Sequence, residues 1–292
     1  MAESSGPMVP GPIVSGPRGR VLPADSHLHS QFSYDAWGRG DMEQSCHRAV
    51  QLGLPAVAFT EHVDFVSWGP ADRIGDLAEH RLAHRSFAPF DPEPYLDELE
   101  RCRDLFPDLR ILTGMEAGEP HLFGASLADL MRTFTPDRVL GSLHAIVFDT
   151  TLRYAHHGMD ALGPHEVMRR YLVELLTMIR ESDVFEILAH IDFPRRYWPR
   201  EIPYQETDFE EELRAVLTEL AGQGRVLEVN TKSPPASARL LGWWYEVGGG
   251  AVSFGSDAHH PYGVGDRFEV AVDLVESVGF RPGRDHLDFW RR

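Results

Sequence analysis

Near the C-terminus the chain reads SFGSDAHHPYGVG, in which Asp257 and His259 are separated by a single residue. The stretch DSHLHS repeats that spacing with His27 and His29. Residues i and i+2 of a β-strand point to the same side, so each pair can grip one object. Further candidates are scattered along the chain: Asp35, His62 in AFTEHVDF, Glu116 in LTGMEAGE, His144 in VLGSLHAI and His190 in ILAHIDFPRR. Imidazole with carboxylate is the ligand set of zinc, manganese and iron, whereas carboxylates alone would suggest magnesium or calcium. Six histidines and three acidic groups exceed one tetrahedral site. They suit two or three metals that share a bridging carboxylate. A lone histidine at a strand end is more often a hydrogen-bonded structural residue, and an H-x-H pair alone is weak evidence. The repetition behind nearly every strand carries the argument.

Those strands are short apolar, β-branched runs that alternate with amphipathic stretches. Strands are expected at Val21–Ala24, Ala56–Thr60, Arg110–Gly114, Arg138–Ser142, Phe185–Ala189, Val226–Val229 and Ala251–Phe254. Helices are expected at Met42–Leu52, Pro94–Phe106, Ser126–Phe134, His165–Glu181, Phe209–Gln223, Ala236–Val247 and Phe268–Val278. In the helix from His165, Val167, Tyr171, Leu175, Met178 and Ile179 fall on one face, as helical burial requires. Seven strands alternating with helices imply parallel βαβ units, hence an α/β sheet or barrel. In a parallel barrel all C-terminal strand ends open onto one face, so the scattered candidates would converge there. Val63–Asp91, rich in Pro, Trp and charge, reads as an insertion over one face. The other histidines, among them His47, His80, His84, His156 and His286, fall in helices or loops and read as surface residues. His121 and His260 adjoin the motifs and stay open.

Composition narrows the class. A chain of 292 residues with 42% hydrophobic content can bury a large core, and α/β barrels reach such lengths as one domain. Residues 1–20 are rich in Gly, Pro and Ser and read as a disordered tail; residues 21–292 read as one domain without a linker. No apolar run resembles a signal peptide or approaches the ~20 residues that span a bilayer. Cys46 and Cys102 suggest no disulfide framework, so a cytoplasmic protein is expected. A net charge of −17 argues against nucleic acid as partner, because such affinity depends on neutralising phosphates. A small phosphorylated substrate stays possible, since bound cations reverse the local field. Of 28 basic residues only Lys232 is a lysine, as a GC-rich genome would favour. Oligomeric state is not readable.

Taken together, DSHLHS, FTEHVDF, GMEAGE, GSLHAI, AHIDF, LEVNTKS and GSDAHHPYGVG resemble the PHP (polymerase and histidinol phosphatase) domain family, from about Leu22 to about Pro282. The long segment before Glu116 is similar to the monofunctional histidinol-phosphatase branch. The resemblance implies a distorted (β/α)7, TIM-like barrel with a trinuclear metal site at the C-terminal ends of the strands. It would place His27, His29, Glu116 and Asp257 on a first metal, and Asp35, His62 and His259 on a second. Glu116, as the bridge, with His144 and His190 would hold a third. Some family members carry histidine at the position of Asp35; a carboxylate there would favour iron or manganese over zinc, which leaves the choice among the three open and the site unchanged.

The implied activity is phosphomonoester hydrolysis, with a hydroxide between metals as nucleophile and Glu116, Asp257 and His259 holding the reacting centre. Arg195 and Arg196 lie just past the fifth strand, and Lys232 beside Asn230 and Thr231 past the sixth. They are candidates for phosphate contact, one arginine facing inward, because the guanidinium fork matches phosphate oxygens; the plain alternative is a solvated loop charge. Histidinol phosphate is the substrate that branch resemblance favours, with Glu119 or Glu61 available to its amine. Nucleotides or other phosphomonoesters are the alternative. An amidohydrolase-type hydrolase also begins with H-x-H, but lacks the histidine two residues past its last aspartate. A non-catalytic, metal-stabilised module would carry degenerate ligand positions, and here all nine are competent.

Overall fold

The computed structural model describes residues 21–68, 89–149, 151–232, 236–283, 285 and 289–292. The expected tail, most of the expected insertion, and His80, His84 and His286 lie outside the described residues. The chain opens with β1 (Asp25–Leu28) and α1 (Met42–Leu52). Asp41 starts α1 by accepting from Gln44 N at 2.8 Å, and Gly53 ends it at φ 72°, a conformation glycine adopts without a Cβ penalty. β2 (Ala56–Val63) runs into α2 (Phe65–Trp68). Then come α3 (Pro92–Leu105), with prolines in its first turn and Asp91 as its N-cap, and β3 (Arg110–Gly118). α4 (Gly124–Leu130) leads to β4 (Arg138–Ser142).

A hairpin of β5 (Ala145–Phe148) and β6 (Thr151–Tyr154) interrupts the alternation. After α5 (Met159–Leu162), α6 (Pro164–Glu181) buries Val167, Tyr171, Leu175, Met178 and Ile179, the stripe its sequence spacing requires. β7 (Ile187–Leu188), α7 (Glu210–Gly222), β8 (Val226–Asn230), α8 (Ala238–Glu246), β9 (Ala251–Gly255), α9 (Phe268–Val278) and β10 (Trp290–Arg291) complete it.

The sheet order is β1-β2-β3-β4-β7-β8-β9-β10, parallel throughout except for β10. Seven parallel strands curl until the first meets the last. Leu28 bridges Ala258, Asp257 N donates to His27 O at 2.8 Å, and His29 N donates to Ala258 O at 2.9 Å. At the opposite end β10 occupies the edge of β9, pairing Trp290 with Val252 and Arg291 with Ala251. The result is a distorted (β/α)7 barrel, closed at the C-terminal strand ends. β2 is buried along its whole length, as a parallel strand covered on both faces should be. Among the described residues no helix is long and apolar enough to cross a membrane.

Four strand boundaries differ from expectation, three of them in ways that matter to the site. The first strand is Asp25–Leu28, not Val21–Ala24, because pairing to β2 begins at Asp25↔Val57 and Pro23 has no N–H for a ladder. His27 therefore sits on the strand itself. β2 and β3 also run longer than expected, so His62 and Glu116 are strand residues paired across the sheet. The expected strand Phe185–Ala189 pairs regularly only at Ile187–Leu188, with Glu186 N and Ala189 N each donating once to β4. The hairpin and β10 were not anticipated.

Candidate metal centre

Each parallel strand delivers a polar side chain to the closed end of the barrel. The carboxylate of Glu116, on β3, occupies the middle. Its Oε1 lies 2.8 Å from His190 Nε2 and 3.2 Å from His144 Nε2, and accepts from Ser142 Oγ at 2.6 Å. Its Oε2 faces the other way, 2.8 Å from His62 Nδ1 and 3.5 Å from both His27 Nε2 and His29 Nε2. One carboxylate thus separates two groups of imidazoles.

Asp257 closes the far side. Its Oδ1 is 3.5 Å from His29 Nε2 and 4.0 Å from His27 Nε2. Asp257 adopts φ 53°, a left-handed conformation uncommon outside glycine and tolerated best by Asp and Asn. Asp35, on the loop after β1, lies 2.8 Å from His259 Nε2 through Oδ2 and 3.4 Å from His62 Nε2 through Oδ1. The structure thus brings all nine expected ligand residues together.

Four overlapping triads among them could hold a metal ion: His29–His62–His259, His27–His29–Glu116, His27–His190–Asp257 and His62–Glu116–His144. Buried polar atoms without hydrogen bonds test the fit. Glu116 Oε2 and His62 Nδ1 face each other without a hydrogen bond, and Asp35 Oδ1, on the other side of the His62 ring, is also unsatisfied. Such atoms are costly inside a protein, and a shared cation satisfies several at once. The residues present fit divalent metal ions.

The electrostatics agree. Burial raises the Glu116 carboxyl, but His62, His27 and His144 outweigh it and hold the group well below the usual carboxylate range. Burial likewise opposes charge on His27, yet Glu228, Glu116 and Asp257 push that imidazole well up. His144 is raised to about 10 against burial, by Glu116 and Asp64. His190 goes the opposite way, to about 4, because burial dominates and Arg196 adds to it. The cluster holds protons where its geometry offers metal lone pairs.

Outer contacts orient the rings. Glu228 Oε1 accepts from His27 Nδ1 at 2.6 Å, and its Oε2 accepts from His190 N at 2.7 Å. Ser33 Oγ lies 3.0 Å from His29 Nδ1, and Asp64 Oδ2 lies 3.4 Å from His144 Nδ1. Carboxylate–histidine pairs of this kind fix ring orientation at metal sites. Sequence reasoning passed over Glu228, although a carboxylate inside the apolar strand VLEVN is itself a signal, since a buried charge must be paired. Ser33 carries no such signal.

The basic residues divide. Arg196 faces inward, donating from Nη2 to Asp257 Oδ2 at 2.5 Å and to Asn230 Oδ1 at 3.2 Å. Arg195 turns away, to Asp192 at 3.2 Å and over the Tyr204 ring. Lys232 Nζ is 2.8 Å from Asp257 Oδ1 and 2.9 Å from His259 Nδ1. Glu119 does not line the cavity. Its carboxylate accepts from His144 N and Ala145 N at 2.7 and 2.8 Å, and its position at φ 44° aims it at those amides. Glu61 is likewise buried, bonded to Ser30 and Ser33. Both carboxylates brace the loops that carry ligands.

A cavity of about 410 Å³ opens above the cluster, lined by Arg196, Lys232 and seven of the nine candidate ligands. Its outer wall includes Tyr34, Tyr154, His156, His157, Phe193 and Tyr197. His156 is therefore a cavity residue, not a surface one; the unanticipated hairpin carries it there. His121 is buried against Glu174 at 2.8 Å, and His260 is exposed.

Comparison with known proteins agrees with this geometry. The family model of the PHP domain matches residues 25–232, a span that contains every candidate ligand except Asp257 and His259. A histidinol-phosphatase of Lactococcus lactis is 27% identical over 270 residues, covering 88% of this chain and 91% of that protein. A protein of Thermotoga maritima named as a probable histidinol-phosphatase is 26% identical over 265 residues, with 88% and 92% covered. The crystal structure of histidinol phosphate phosphatase from Lactococcus lactis, complexed with zinc, L-histidinol and phosphate, superposes with a TM-score of 0.73 at 21% identity. That superposition covers 92% of this chain and 98% of the other. With most of its length matched by the family model and the family's motifs converging at one end of its barrel, this chain belongs to the PHP domain family.

Proposed function

We propose that the chain is a metal-dependent phosphomonoester hydrolase whose substrate is L-histidinol phosphate. The observation that carries this reading is a largely buried cluster of nine candidate ligand residues beneath a cavity that Arg196 and Lys232 also line. The names of the relatives, and the zinc, L-histidinol and phosphate held by the superposed structure, supply the substrate.

In this reading His27, His29, Glu116 and Asp257 would hold one ion, Asp35, His62 and His259 a second, and Glu116, His144 and His190 a third. Two to three ions of zinc, manganese or iron fit the mixed imidazole and carboxylate set. Divalent metals at such a set supply a nucleophilic water at neutral pH and offset the charge of phosphoryl oxygens. Glu116 keeps the two imidazole groups in register from both carboxylate oxygens, and Asp257 with His259 closes the same centre. Arg196 and Lys232 share the carboxylate of Asp257 and offer charged donors to the phosphate oxygens. The domain spans residues 21–292 and works in the cytoplasm on a small anionic substrate, with no part played by nucleic acid.

Elemental analysis together with a panel of phosphomonoesters tests this reading. The expected outcome is two to three transition-metal ions per chain and the highest kcat/KM for L-histidinol phosphate. One ion or none under metal-replete conditions would remove the trinuclear centre, and preference for a nucleotide would remove the substrate.

A further inference from the structure

The chain has two cysteines, far apart in sequence, and the fold brings them into contact with each other. Cys46 lies within α1 and Cys102 near the end of α3, both free and fully buried. Their side chains are hydrogen-bonded to one another. Cross-helix contacts hold the seam on either side of the pair. Glu43, one turn before Cys46, accepts from Arg101 Nη2 at 2.8 Å, and Arg101 directly precedes Cys102. His47, directly after Cys46, meets the edge of the Phe106 ring with centroids 4.7 Å apart, and Phe106 lies one turn past Cys102. The two sulfurs are thus fixed between two anchors of the same helix pair.

Neither cysteine belongs to the cavity lining or to the metal-ligand triads. A buried free cysteine is usually a small packing residue. What sets this pair apart is that every thiol of the chain sits in one contact, so each has a single sulfur partner. The contact also makes the two unequal. The Cys46 hydrogen bond, with Arg101 adding to it, outweighs burial and lowers the Cys102 thiol. The same contact, together with burial, raises Cys46. Cys102 is therefore the nucleophile of the pair, since the thiolate is the reactive form.

We propose that Cys46 and Cys102 form a redox modification site: hydrogen peroxide joins them in an intrachain disulfide that staples α1 to α3 and stabilises the fold, and a thiol reductant releases it. The Cys102 thiolate attacks one peroxide oxygen, the O–O bond breaks, and a sulfenic acid and one water result. The Cys46 sulfur then attacks the Cys102 sulfur, the S–O bond breaks, and a second water leaves. Two thiols lose two electrons and two protons, and one peroxide becomes two waters. Because both sulfurs are buried, peroxide reaches them through local opening of the seam. Thiol exchange reverses the bond, as suits the transient disulfides of a reducing compartment. The staple joins parts that carry the metal centre. Gln31, in the loop that bears Asp35, accepts from Met42 N at the start of α1 at 2.9 Å. Tyr95 of α3 donates to Phe59 O of β2 at 2.8 Å and accepts from Gly114 N of β3 at 3.0 Å.

The test treats the zinc-loaded full-length chain with hydrogen peroxide and follows it by non-reducing peptide mapping, thiol titration after denaturation, and thermal melting. The expected result is a cross-linked peptide pair containing Cys46 and Cys102, loss of both titratable thiols, and a chain that stays unlinked to any other. The Tm should rise by about 5 °C or more, because the bond constrains the unfolded chain across a long loop. Dithiothreitol should return both thiols and the original Tm. Cys46→Ala and Cys102→Ala, treated alike, should show no such rise, which separates the staple from oxidation of methionine. Wild-type protein that keeps both thiols, oxidises them to sulfinic or sulfonic acids, or links two chains overturns the proposal. So does an intrachain disulfide that leaves Tm unchanged or lowers it, or a rise of equal size in either alanine variant. None of these readings uses phosphatase activity, so the staple and the proposed reaction stand or fall separately.

Discussion

Glu116 divides the cluster, with His144 and His190 on one oxygen and His27, His29 and His62 on the other. Glu116→Gln keeps the shape and removes the charge that both sides share. Metal should then be lost at two positions together, and kcat/KM should fall by more than the roughly 10–100-fold typical of outer contacts; elemental analysis and steady-state kinetics check both. Full occupancy with wild-type turnover would make Glu116 an ordinary strand-end carboxylate. Among the basic residues, Arg196→Ala and Lys232→Ala should each cost about 1.5–3 kcal/mol, the range for a charge-assisted contact, or roughly tenfold to a hundredfold in kcat/KM, with metal content kept. Arg195→Ala should leave kcat/KM within about twofold, because its partners, Asp192, Glu206 and the Tyr204 ring, do not line the cavity. Equal effects at Arg195 and Arg196 would contradict that division. The convergence of the candidate ligands was legible because each has ligand chemistry and all but Asp35 lie on or within a few residues of a strand end. The roles of Glu119 and Arg195 were not, because one is fixed by backbone amides and the other by tertiary partners that no local pattern encodes.

At the scale of elements, the ends of β8 and β9 approach so closely that Gly255 is required. A Cβ there would lie 2.1 Å from Glu228 Oε1 and 2.6 Å from His27 Cβ. Gly255→Ala should therefore destabilise the fold by about 1–3 kcal/mol, the usual cost of overpacking, and weaken metal binding by displacing the carboxylate that holds His27. Thermal melting and metal titration read the two effects, and no change in either would contradict the close approach. The boundaries of α1, α9 and β4 were legible, because caps and apolar spacing mark them locally. Hairpin β5–β6 was not. Its strands have four residues each and the turn lacks an Asn-Gly signal, although Asp149, at φ 56°, is a residue type that tolerates such a turn. Missing the hairpin meant missing Tyr154 and His156 as cavity residues.

For the molecule as a whole, the alternation of seven strands with helices was enough to expect a barrel. How the barrel closes was not legible, because it depends on a bridge between residues at opposite ends of the chain, Leu28 and Ala258, and on β10 wedged beside β9. That closure ties metal to stability, since ligands from β1, β2, β3 and the segment after β9 meet in one cluster. Metal uptake also requires neutral imidazoles. His27 and His144 are both raised, His144 to about 10, so uptake near pH 7 should expel protons, and affinity should weaken as pH falls. Titration calorimetry in two buffers of different ionisation enthalpy should give a heat that varies with buffer; identical heats would contradict proton release. Phosphate release from L-histidinol phosphate tests the central claim most directly, measured with loaded, chelator-stripped and reloaded protein. Turnover should be present when two or three metals are bound, drop by more than about 100-fold on stripping, and return on reloading. No turnover by the loaded protein, or turnover undiminished after the metals are removed, would contradict it.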